Sequence, residues 1–85
     1  MTNIYGLYDP RTSVLRYVGK TIKTLSYRLG RHLRETRYSP NKNYRTRWIN
    51  NILNSGNVPE IFLIEETNDW ETAEKKWIAY FRALG

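Results

Sequence analysis

The chain has 85 residues, 40% of them hydrophobic, and no cysteine, so its apolar material suffices for a single core, and disulfides and thiolate metal sites are excluded. No run approaches the ~18 to 20 consecutive apolar residues of a membrane span, and Met1-Thr2-Asn3 opens without the basic-then-apolar pattern of a secretory signal, so a soluble, cytoplasmic protein is expected. The net charge of +6 is uneven, eleven Lys and Arg against two acids in residues 1–48 and three against six in residues 49–85, which predicts that the first half faces a polyanion, a nucleic-acid backbone being the commonest one.

Ile4-Tyr5-Gly6-Leu7-Tyr8 and Val14-Leu15-Arg16-Tyr17-Val18 are aromatic and β-branched runs separated by the turn-forming cluster Asp9-Pro10-Arg11-Thr12-Ser13, the pattern of a hairpin. Turn length decides whether its two tyrosines can cooperate. A loop of three or five residues sets Tyr5 directly opposite Tyr17 on one face, whereas a loop of two or four sets them on opposite faces. Pro10 at the second turn position suits a type I turn.

From Thr24 to about Arg37, Leu25, Leu29 and Leu33 recur every four residues with Arg28, Arg31, His32 and Arg34 between them, predicting an amphipathic, strongly basic helix. Ser39-Pro40-Asn41-Lys42-Asn43 ends it. Tyr44, Trp48, Ile49, Ile52 and Leu53 then mark a second helix, stopped by Ser55-Gly56-Asn57 with Gly56 as C-terminal cap. Ile61-Phe62-Leu63-Ile64 is a short continuous apolar run, read as a strand covered on both faces and hence the central one. A last helix starts at Asn68 or Asp69, with Glu71 in a capping-box position after Asn68 and Ala73, Trp77, Tyr80, Phe81 and Leu84 as its buried stripe. The expected fold is one α+β domain over residues 1–85, a small three-stranded antiparallel sheet flanked by three helices in the order ββααβα.

Each chemically suggestive residue also has an ordinary use. Tyr5 and Tyr17 could be plain strand aromatics. Arg28 and His32, four apart and about one residue step from the leucine stripe, share a helix face; they could meet a phosphate together, with His32 also able to move a proton, or form a solvated basic face. Glu74 lies at the edge of the last helix's apolar stripe, where a carboxylate would either bind a metal or pair with Lys75, Lys76 or an arginine of the first helix. Without cysteine, any bound metal rests on carboxylate, water or His32, which favours a hard cation. Lys20, Lys23, Arg31, Arg34, Arg45 and Arg47 are candidate contacts to DNA phosphates.

In order and spacing these residues resemble the GIY-YIG nuclease superfamily, which includes homing-endonuclease and phage-endonuclease catalytic domains. Asn3-Ile4-Tyr5-Gly6-Leu7 looks like the first motif, Tyr17-Val18-Gly19 like the second, followed by Lys20, Arg28 with His32 four later, and Glu74 before Lys75-Lys76-Trp77-Ile78. The resemblance spans most of the chain and implies hydrolysis of a DNA phosphodiester, with Tyr5, Tyr17, Arg28, His32 and Glu74 catalytic and one Mg²⁺ or Mn²⁺ held by Glu74. It implies that the two tyrosines activate water, that Arg28 stabilises the phosphate, and that neighbouring cations, Lys20 nearest in sequence, make a phenol with a free pKa of ~10 a usable base. Asn3 departs from the family's usual first glycine. The asparagine often found after the last helix does not occur before Gly85, which fits a trimmed domain of a longer nuclease or a compact phage-type enzyme. Sequence specificity would come from an additional DNA-binding module or a dimer partner. The competing reading is a non-catalytic nucleic-acid-binding module built on the arginine-rich helix.

Overall fold

The computed structural model describes residues 1–84. The elements run β1 (Thr2–Asp9), β2 (Val14–Thr21), α1 (Leu25–Tyr38), α2 (Tyr44–Asn54), β3 (Glu60–Thr67) and α3 (Trp70–Ala83), the expected ββααβα order. The three strands form one antiparallel sheet in the order β2-β1-β3. Among the described residues no helix is long and apolar enough to cross a membrane.

The central strand is β1, which overturns the expectation for β3. Ile4, Tyr5, Gly6 and Leu7 are all buried in succession, whereas in β3 the side chain of Leu63 is 45% exposed. Strand alternation sends Tyr5 and Leu7 to one face and Ile4 and Gly6 to the other. The first face packs on Trp48, Ile49 and Ile52 of α2, with Leu25, Leu29 and Leu33 of α1 completing the core. The second is covered by α3, which packs on all three strands. A strand between two covered faces has no need of polar alternation; β3, at the edge, keeps Glu60 and Glu66 exposed.

The hairpin uses a four-residue loop, since Asp9 pairs with Val14. The Asp9 carbonyl accepts from the amides of Thr12 (3.2 Å) and Ser13 (2.7 Å), and Ser13 takes a left-handed conformation, φ 57°. Alone, this loop would put the two tyrosines on opposite faces. A bulge between Leu7 and Tyr8 shifts the register by one, so that Leu7 pairs with Tyr17 and Tyr5 with Gly19. Tyr5 and Tyr17 therefore share a face as diagonal neighbours, not directly opposite.

The helix starts are local chemistry. Thr24, Asn43 and Asp69 each accept a bond from a backbone N–H of the first turn, and Asn43 and Thr46 form a reciprocal capping box. Asp69, not Asn68, caps α3, so Glu71 is a first-turn acid and not the partner of Asn68. At the end of α2, Ser55 is the cap and Gly56 follows at φ +83°. Two expected stripes are narrower than predicted: Tyr44 is exposed, and in α3 Ala73 is buried and Trp77 and Phe81 half-buried while Tyr80 and Leu84 are exposed. A single helix on one sheet face covers only the side that touches it.

Candidate active site

Tyr5 projects from β1 into the space between the sheet and α1. Its hydroxyl lies 2.7 Å from Nε2 of His32 and accepts from Nε of Arg28 at 3.0 Å. Arg28 and His32 are one turn apart on α1, so both reach the same oxygen. Tyr17 closes the group: its ring centroid is 6.2 Å from that of Tyr5 and 5.6 Å from that of His32, the latter edge-on at 76°. Four of the five residues singled out in the sequence thus meet around one phenol.

Gly19 makes this contact possible. It pairs with Tyr5 across the strands, and a Cβ on it would lie 2.6 Å from the Tyr5 hydroxyl oxygen and 2.7 Å from Cε1 of Tyr17. The glycine of the Tyr17-Val18-Gly19 motif is therefore a space into which the two tyrosines settle.

Burial governs the electrostatics. It pushes the Tyr5 phenol up to about 12, overcoming the hydrogen bond from Arg28 that pulls the other way. At Tyr5 the nearby cations do pull downward, as expected for one of the two tyrosines, but burial outweighs them. Burial also pulls His32 down to about 4, with the charges of Arg28 and Arg45 adding to the effect, so its imidazole is neutral at physiological pH. His32 is 1% exposed and lies inside the core, not on a basic surface, so it does not meet a phosphate as a cation. Among the described residues its Nδ1 has no partner. With hydrogen on Nε2, His32 and Arg28 would both donate to a Tyr5 phenolate and only a lone pair would stay unpaired; with hydrogen on Nδ1, a buried N–H is orphaned while the phenol donates to Nε2. The frame holds a phenol yet has two donors in place for the anion.

Lys20 does not sit beside the tyrosines. It pairs with Ile4, on the opposite face from Tyr5, and its ammonium lies 4.0 Å from the centre of the Trp70 ring. The cation next to Tyr17 is Arg45, whose Nη1 is 3.4 Å from the Tyr17 hydroxyl oxygen and whose Nη2 donates to Glu35 at 2.7 Å. Arg45, expected as a surface DNA contact, is half-buried and turned inward. A residue count along α2 predicts neither partner, because Glu35 and Tyr17 come from other elements.

Arg28 also lines a cleft of about 380 Å³ with Thr2, Lys20, Thr21, Ile22 and Trp70. Trp70, which sequence reasoning passed over, opens α3 and brings that helix to the cleft. Glu74 stands one turn further along α3, four residues after Trp70 and so on the same side of the helix. It is half-buried, and among the described residues no ion pair engages it; Lys76 pairs instead with Glu65 at 3.1 Å. No group of three His, Cys, Asp or Glu converges among the described residues. Mg²⁺ commonly keeps several waters and takes one or two carboxylates together with substrate phosphates, and Glu74 is the carboxylate that would hold it. Lys23, Arg31, Arg34 and Arg47 are exposed, Lys23 beside the cleft and Arg31 and Arg34 on the outer side of α1. Comparison with protein-family models, curated proteins and solved structures finds no match to this chain.

Proposed function

We propose that this chain is a metal-dependent DNA endonuclease of the GIY-YIG type, hydrolysing a phosphodiester by tyrosine-assisted attack of water. The observation that carries the reading is the Tyr5 oxygen held between Arg28 Nε and His32 Nε2, with Arg28 opening onto a cationic cleft that Trp70 joins to the helix of Glu74. Such a constellation has the parts a phosphate hydrolysis needs: a group for the proton, a fixed cation for the phosphate and a carboxylate for a metal.

In this reading Arg28 donates to the scissile phosphate from a guanidinium already anchored on Tyr5. Tyr17, half-buried beside the Arg45 guanidinium, is the phenol open to water, and Tyr5 and His32 stand behind it as a hydrogen-bonded pair. The tyrosines act as a unit whose phenolate form takes the proton as water attacks phosphorus and becomes the phenol; at Tyr5 that anion would accept from Nε of Arg28 and from an Nε2–H of His32. Glu74 would hold Mg²⁺ or Mn²⁺, and when bound the ion supplies positive charge at the phosphate and the leaving 3′ oxygen. Lys20 contributes charge at the cleft. An attached module or a dimer partner would supply long-range sequence specificity.

The competing reading is a nucleic-acid-binding module without catalysis, which the absence, among the described residues, of an acidic residue from the lining of the cleft favours. Nicking of supercoiled plasmid with Mg²⁺ or Mn²⁺, followed by EDTA, separates the two. The endonuclease predicts metal-dependent nicking that Glu74→Ala abolishes while DNA binding persists. Binding with no nicking, or nicking unchanged in Glu74→Ala, would overturn the assignment.

A further inference from the structure

The outer side of α1 carries a feature that the proposed chemistry does not use. Tyr27, Arg31, Arg34 and Tyr38 fall within an arc of roughly 60° at ~100° per residue, so they form one stripe along the helix. All four are exposed, Tyr27 at 52% and Tyr38 at 83%. Arg31, Arg34 and Tyr38 also line a depression of about 390 Å³ with Glu35, Ser39 and Lys42. Glu35 does not make this surface acidic, because Arg45 at 2.7 Å and Lys42 at 3.5 Å already pair with it.

We infer that this stripe docks an unpaired DNA strand, with Tyr27 and Tyr38 as stacking platforms for bases and Arg31 and Arg34 as phosphate contacts. The inference rests on the proposal that DNA is the substrate, and it narrows that substrate to DNA with a single-stranded portion. Two cations between two exposed aromatic rings match the alternation of charge and flat apolar surface along a single strand. A paired duplex offers the phosphates but hides the base faces, so it would use the arginines and leave the tyrosines idle. The tyrosines are eleven residues apart, about 16 Å at ~1.5 Å per residue, which spans about five nucleotides at the ~3.4 Å step of a stacked strand. The stripe also adjoins the cleft. Tyr27 immediately precedes Arg28, and the Lys23 ammonium lies 5.8 Å from the Tyr27 ring. A strand leaving the cleft can thus run directly onto α1.

The test is fluorescence anisotropy in EDTA, which removes any contribution from cleavage, with a labelled single DNA strand, its duplex and the matching RNA strand. The double variant Tyr27→Leu/Tyr38→Leu keeps apolar, helix-forming side chains but no rings. It is expected to weaken single-strand DNA binding by at least about tenfold and duplex binding by less than about twofold. Arg31→Gln/Arg34→Gln is expected to weaken both probes and to lower the single-strand salt slope by about 1.4, at ~0.7 per phosphate. Equal weakening of single strand and duplex by the tyrosine variant, no weakening of either, or tighter binding of RNA than of DNA by the unaltered chain would each overturn the inference. Plasmid nicking reports on the endonuclease separately: a chain that nicks but ignores the tyrosine variant loses only this inference, and one that binds through the tyrosines without nicking loses only the endonuclease reading.

Discussion

The Tyr5 hydroxyl lies 2.7 Å from Nε2 of His32, a contact between residues 27 apart that ties the central strand to the first helix inside the core. A buried polar contact of this kind is costly to leave half made, because the remaining partner keeps its desolvation cost without its bond. Arg28 Nε shares the same oxygen, so a single atom holds two side chains of α1 in place.

Tyr5→Phe removes that atom while keeping the ring. The variant is expected to lose about 1–3 kcal/mol of stability, the usual cost of a buried group left without its partner, which a thermal melt would read as a fall in Tm of roughly 4–8 °C per kcal/mol for a domain of this size. Nicking should be lost with it. An unchanged Tm would mean that the hydroxyl does not organise His32 and Arg28.

His32 makes stability depend on pH in a defined direction. Its folded pKa, about 4, lies below the 6.5 of a free imidazole, so between those values the unfolded chain binds the extra proton and the native state does not. Stability is therefore complete above about pH 6.5 and declines as pH falls towards 4. Chemical denaturation at intervals across that window should show a decline that is shallower in His32→Gln, in which nothing at this position titrates. Equal slopes in the two proteins would show that the imidazole is not held neutral by the fold.

Two glycines should respond in opposite senses to the same change. In Gly19→Ala the new methyl lands 2.6 Å from the Tyr5 oxygen, forcing both tyrosines out of place. A loss of about 1–3 kcal/mol, typical of overpacking, is expected together with loss of nicking. Gly30 is exposed in the interior of α1, and a Cβ there meets nothing within 4 Å. Gly30→Ala should therefore stabilise by up to about 1 kcal/mol through helix propensity and a less flexible unfolded chain. A Gly19→Ala protein as stable and active as the parent would rule out the packing role assigned to Gly19.

The gap between local and tertiary information is clearest at the hairpin. The turn cluster Asp9 to Ser13 was legible, and so was the dependence of the tyrosines' faces on loop length. The loop has four residues, the length that separates the faces, and the bulge at Leu7/Tyr8 brings them back together. Nothing in the residue types around Arg16 announces that bulge. Its effect is to return Tyr17 to the face that Tyr5 and Leu7 present to the core.

By itself the sequence determined the six elements and their order, the α+β class and the placing of Arg28 and His32 on one face of the first helix. These follow from side chains a few positions apart: turn chemistry, capping oxygens and the periods of strand and helix. Tertiary structure alone decided that β1 is the central strand, that His32 is buried and neutral, that Lys20 and the tyrosines lie on opposite faces, and that Arg45 supplies the cation at Tyr17. Burial on two faces, desolvation of an ionisable group and pairing across elements are set by neighbours distant in the chain. The 27 residues between Tyr5 and His32 are the measure of that distance.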